Sequence, residues 1–231
     1  MAQSVSRAPL ALPTVAPLAV PGDFVARAEA LGVTLTPAMV ADLGHYLALL
    51  LATNEQMNLT AVSTPEEAWS RHILDALTLV PLVKGVPAKG RVVDVGSGGG
   101  VPGIPLAIVR RDLVVTLIDA TQKKAHFLRL VAKALRLDRV TVLAERAEAA
   151  QRGGFKGTAD VVTARAVARL NLLVGWTLPF LKKGGRALLM KGQKADEELA
   201  EAATAIAQWG GAHRETLATD GGRVVVIERV G

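Results

Sequence analysis

From residue 91 to the end of the chain, short β-branched apolar runs alternate with segments whose apolar positions recur every three or four residues. Residues 91–95 (RVVDV), 114–119 (VVTLID), 140–144 (VTVLA), 160–164 (DVVTA), 186–191 (RALLMK), 213–218 and 223–229 (RVVVIER) read as strands. Helical patterns fill the first four gaps, and another runs from about 194 to 208. Strands alternating with helices predict an α/β fold with a mostly parallel, doubly wound sheet. Asp220-Gly221-Gly222 between the last two strands is a hairpin signal, so the sheet is expected to finish with an antiparallel strand.

Before residue 89 the pattern is helical. Thr36-Pro37 reads as an N-cap followed by proline at the first helical position, opening an apolar-striped segment to about Ala52. Thr64-Pro65-Glu66-Glu67 reads as a capping box leading into Trp69, His72, Ile73, Leu77 and Val80. Pro9, Pro13, Pro17 and Pro21 would break any helix in the first segment. The expected organisation is a flexible tail at 1–22, a helical N-terminal extension at 23–88 and an α/β domain at 89–231.

Composition narrows the function classes. No apolar stretch approaches the roughly 18 residues that a membrane span needs, and the expected address is the cytoplasm. The absence of cysteine removes disulfides, thiolate metal sites and a cysteine nucleophile. Four scattered histidines offer no metal-ligand spacing, so no metal is expected. The net charge of +6 is uneven: residues 1–90 carry −2 and residues 91–231 carry +8. A basic half points to a polyanion, nucleic acid before membrane. Eight aromatic residues are too few for recognition resting mainly on stacked single-stranded bases.

The chemistry concentrates at VVDVGSGGGVPGIPLAIV, residues 92–109. A triphosphate loop would need Lys-Ser/Thr after Gly103, where Ile104-Pro105 stands. A dinucleotide fingerprint fits at Gly98, Gly100 and Gly103, with Asp119 as the ribose acid. A third fit is Asp94-x-Gly96-x-Gly98-x-Gly100. Asp94 beside the loop would repel a pyrophosphate and attract the cationic S-adenosylmethionine, with Asp119 accepting from ribose hydroxyls. Ala147 and Glu148 follow the third strand, and Arg165 ends the fourth, at the edge where such sheets hold ligands.

DVGSGGGVPGIPLAI, IDATQKKAHFLR, RAEAA, TARAVARLN and LMKGQ, with NLTAV and HILDAL upstream, resemble the bacterial small-subunit rRNA guanine-N7 methyltransferases, the RsmG or GidB family. The resemblance spans about residues 54–193. It implies a class I, Rossmann-like methyltransferase that uses S-adenosylmethionine on a guanine of the 530 loop of 16S rRNA, guanine 527 in the usual rRNA numbering. It further implies cofactor contacts at Gly96, Val101, Ala147, Glu148 and Arg165, to which the loop reading adds Asp94, Ser97, Gly98, Gly100 and Asp119. Ala76 stands where the family usually has serine after Asp75.

Guanine N7 is a lone-pair nucleophile with no proton to lose, so alignment is required and no general base is expected. Without cysteine, thiolate-assisted pyrimidine methylation is excluded. Candidate RNA contacts are Lys123, Lys124, Arg129, Arg165, Lys182, Lys183 and Lys191. Asn58, Thr60, His72 and Asp75 could line the guanine pocket or form a polar network pinning the helices to the α/β domain. Expected partners are 16S rRNA, in the small ribosomal subunit or its assembly intermediate, with the chain a monomer. The rival functions are an NAD-dependent oxidoreductase and a binding-only ribosome assembly factor.

Overall fold

The computed structural model describes residues 10–231. Seven strands form one sheet in the order β3-β2-β1-β4-β5-β7-β6. They are β1 Arg91–Val95, β2 Val114–Ile118, β3 Val140–Leu143, β4 Ala159–Arg165, β5 Leu181–Lys191, β6 Gly211–Thr219 and β7 Gly222–Arg229. The first five pair in parallel, and β7 enters antiparallel between β5 and β6. The alternating strands and the terminal hairpin are thus as expected. β5 begins five residues earlier than its apolar run, because Leu181 already pairs with Ala159.

Helices cover both faces, which explains why the inner strands are apolar at successive positions. The N-terminal helices are α1 Phe24–Ala30, α2 Pro37–Met57, α3 Pro65–Ala68 and α4 Asp75–Leu77. In β1, Val92 joins the cluster beneath α2, α5 (Gly103–Val109) and α6 (Gln122–Ala134). Val93 and Val95 point the other way, toward α7 (Ala147–Ala150), α8 (Leu170–Thr177) and α9 (Ala195–Gln208). The N-terminal helices therefore share a core with α5 and α6: Leu43, Tyr46, Leu47 and Leu50 of α2 belong to the same cluster as Ile104 and Leu128.

Caps begin these helices where the sequence places them. Thr36 accepts from the Met39 amide at 3.2 Å to open α2, and Thr64 from the Glu67 amide at 3.3 Å to open Pro65–Ala68. The latter run continues through a wider π-helical turn, Trp69–Leu74, into Asp75–Leu77.

Residues 10–22 run without a helix along the core. They have no regular structure before the turn at Gly22-Asp23, yet Leu10, Leu12, Val15 and Leu18 pack on the core. The Leu18 amide donates to the Gly44 carbonyl at 3.1 Å and Trp69 Nε1 to the Ala19 carbonyl at 2.9 Å. Prolines prevent a helix here without preventing an anchored strap. Residues 1–9 of the expected tail lie outside the described residues.

Candidate functional site

Sheet order reverses between β1 and β4, and at that point the chains leaving the two strands diverge. In doubly wound sheets such a divergence opens a crevice at the carboxyl ends of the strands. Here it measures about 440 Å³ and is walled by Gly96, Ser97, Gly98, Gly99 and Val101 on one side and by Arg165, Ala166 and Val167 on the other. Leu50, Leu59, Thr60 and His72 from the helical segment close a third side.

The glycines have separate causes. At Gly96 (φ +70°) a Cβ would meet Val167 Cγ2 at 2.6 Å, so this glycine lets the two walls touch. Gly98 (φ +56°) is free of protein contacts on that side, with only the Gly96 carbonyl at 3.8 Å; its bare backbone faces the crevice. From behind, Tyr46 Oη donates to the Gly99 carbonyl at 2.8 Å and fixes the loop to α2.

Two carboxylates brace this loop. Asp119 lines the crevice, accepting from the Gly98 amide at 2.9 Å through Oδ2 and from the Thr121 amide at 2.8 Å through Oδ1. Asp94 does not line it, which corrects the expectation of a direct grip on a cation. The residue is 1% exposed, its Oδ1 accepts from Thr163 Oγ1 at 2.6 Å, and its Oδ2 faces the backbone of Gly103. β1 points this side chain inward beneath α5. Burial pushes its pKa up to about 6, partly offset by the Thr163 hydrogen bond.

The helical constellation divides. His72 Nε2 lies 2.8 Å from Thr60 Oγ1, and burial, followed by the Arg165 charge, lowers its pKa to about 4, so the ring is neutral at pH 7. Asp75 sits 3.5 Å from Arg165 Nη2 and against Gly221 in the β6–β7 turn. Arg165 also donates to the Arg71 carbonyl at 2.6 Å. These contacts pin the π-helical turn to β4 and to the hairpin. Burial raises the Asp75 carboxyl, and the Arg165 charge opposes that rise. Asn58 is the exposed, left-handed C-cap of α2 (φ 33°) and stands outside the crevice lining.

A family profile described as "GidB: rRNA small subunit methyltransferase G" matches residues 39–225. A Sorangium cellulosum protein named Ribosomal RNA small subunit methyltransferase G is 52% identical over 225 residues, covering 97% of this chain and 94% of its own. The chain belongs to the rRNA small subunit methyltransferase G family. Solved structures agree in fold: a Corynebacterium glutamicum protein matches with TM-score 0.57 at 16% identity, over 89% of this chain and 95% of its own. M. jannaschii TYW2, solved in complex with AdoMet, matches with TM-score 0.50 at 22% identity, over 65% and 74%.

Of the seven basic residues suggested for RNA, Arg165 is in the crevice wall described above and the other six fall into three groups. Lys124 lines the crevice, and Lys123 and Arg129 are exposed on the same helix, α6; Arg129 donates to the Val142 carbonyl at 3.1 Å. Lys182 and Lys183 stand at the start of β5, roughly 25 Å along the strand from its crevice end. They are at the end of the sheet opposite the crevice, and Lys182 is paired with Asp160. Lys191 reaches the right end, but its amine is turned inward to Glu198 and the Ala168 carbonyl, each at 2.7 Å. Ala147 and Glu148, at the start of α7, are not among the crevice-lining residues.

Sequence reasoning missed Tyr46, Leu50, Arg71 and Val167. They come from three segments, Tyr46 and Leu50 from α2, Arg71 from the π-helical turn and Val167 from the loop after β4, and only the fold brings them to the glycine loop.

Proposed function

We propose that the chain transfers the methyl group of S-adenosylmethionine to N7 of a guanine in the 530 loop of 16S rRNA, guanine 527 in the usual numbering. The observation that carries the reading is the glycine wall, braced by Asp119, at the strand reversal of a chain belonging to this family. The relatives' name supplies rRNA of the small subunit, and the fold-mate solved with AdoMet is compatible with the cofactor.

The crevice fits the methyl donor in size, since ligand pockets run from about 300 to 1,000 Å³. It also fits in chemistry. Gly98 offers bare backbone, and the Asp119 oxygens keep lone pairs beyond the two amides they accept from, suited to ribose hydroxyls. Gly96, Ser97 and Val101 would shape the remainder of that wall; Gly100, expected beside the cofactor, instead faces the core, where a Cβ would meet Ile104 and Leu128. When bound, the cofactor supplies an electrophilic methyl on a sulfonium. The chain's own residues then have one task, to align the guanine lone pair and keep water out. No proton leaves N7, so the site needs no base. Arg165 is tied to Asp75 and the Arg71 carbonyl, and those ties would keep its guanidinium from turning onto the charge that develops on the guanine.

The test is borohydride and aniline cleavage of 16S rRNA from cells with and without the protein. The reading expects cleavage at one guanine of the 530 loop only when the protein is present. The same cleavage pattern in both, or a protein-dependent site elsewhere, would refute it.

A further inference from the structure

The second crevice wall is a short irregular loop, residues 166–169, between β4 and α8. Its backbone is not relaxed: Ala166 has φ +54°, a conformation that costs a non-glycine residue of order 1 kcal/mol or more. Val167 nevertheless presses on Gly96 across the crevice. Something must hold the loop there. Lys191 Nζ donates to the Ala168 carbonyl at 2.7 Å and meets Glu198 Oε2 at 2.7 Å, and the same Glu198 oxygen accepts from the Leu170 amide at 2.8 Å. One ion pair thus ties the loop on both sides of Arg169. The Lys191 side chain is 9% exposed and that of Glu198 17%, too enclosed for solvent to loosen the pair. Both groups border a small cavity of about 180 Å³ that also includes Arg165 and Ala166, directly behind the wall.

We infer that Lys191 and Glu198 are positioning residues that clamp loop 166–169 as the crevice's second wall, and that Lys191 is not an RNA phosphate contact. The inference rests on the methyltransferase reading for its kinetic consequences and on geometry alone for its structural ones. A clamp and a phosphate contact differ measurably. A lysine that neutralises a phosphate contributes about 0.7–0.9 to the slope of log affinity against log salt, whereas a lysine spent on Glu198 contributes none. Partners in one clamp are also strongly non-additive, because breaking either end frees the same loop.

The experiment compares Lys191→Met, Glu198→Gln and the double variant with the parent. Amide hydrogen exchange at residues 166–170 is expected to speed up at least about tenfold in each single variant, since the loop then opens locally. Methylation of small subunits should show kcat reduced about tenfold while KM for RNA stays within about threefold, the pattern of lost positioning. The salt slope should match the parent, and the double variant should be no more than about threefold worse than the poorer single one. Glu198→Gln keeps an acceptor for the Leu170 amide and provides the test if Lys191→Met does not fold. A salt slope reduced in Lys191→Met alone would make Lys191 a phosphate contact and overturn the clamp. So would lowered melting temperatures with unchanged loop exchange and kinetics. If the parent protein methylated no rRNA, the proposed function would fail while the exchange result still decided the clamp.

Discussion

Adjacent strands β1 and β2 each deliver a carboxylate to the crevice end of the sheet, and the two regions use it differently. Asp94 lies within β1, in register with Leu117 and Thr163, so its side chain is committed to the space beneath α5. Asp119 lies one residue past the end of β2, where the chain is leaving the sheet. Its carboxylate turns across to Gly98 and Thr121 and remains at the crevice. A displacement of one or two residues relative to a strand end separates a buried foundation from a crevice-facing group. Charge and sequence spacing alone do not distinguish the two.

The largest predicted effect breaks this pair apart. Asp119→Ala should weaken S-adenosylhomocysteine about 30-fold or more, the scale of a lost hydrogen bond to a charged group. Asp94→Asn, at a position buried outside the crevice lining, should weaken it less than about fivefold and lower unfolding free energy instead, by about 1–2 kcal/mol, because a new amide would face the Gly103 backbone. Calorimetric titration and urea unfolding of the two variants check this. Equal losses of affinity would erase the distinction.

The pH dependence of stability sharpens it. The folded state binds the Asp94 proton more tightly than the unfolded state, with its pKa at about 6 against an ordinary 3.8. Its contribution is therefore full below 3.8 and lost as pH rises through 6. His72, at about 4 against 6.5, works oppositely: its contribution is present above 6.5 and lost as pH falls toward 4. In the parent the two slopes oppose each other. Unfolding measured from pH 7 to 4 should show Asp94→Asn losing more stability on acidification than the parent, and His72→Gln losing less.

The smallest effects concern the two ends of the sheet. Lys124→Ala should reduce affinity for 16S rRNA about threefold and flatten the salt slope by about 0.7–0.9. Lys182→Ala, at the far end and paired with Asp160, should leave both within experimental scatter.

The strands, the hairpin and the glycine loop were legible because each is written locally, as β-branched runs and as glycines at fixed spacing. Asp119 was legible from its position at the end of the second apolar run. The burial of Asp94, the inward turn of Lys191 and the bond from Tyr46 to Gly99 were not, because each depends on partners far away in the chain. The packing of residues 10–22 on the core was not legible for a related reason. Prolines announce the absence of a helix, but whether Leu12 or Leu18 finds a surface to cover depends on α2, and no local pattern encodes that.

The central claim is that the crevice between the β1 and β4 loops holds a methyl donor. It is tested most directly by titrating the purified protein with S-adenosylhomocysteine and, separately, with NAD. Saturable one-to-one binding of S-adenosylhomocysteine with no response to NAD is the predicted result. Binding of NAD in place of S-adenosylhomocysteine, or of neither, would contradict it.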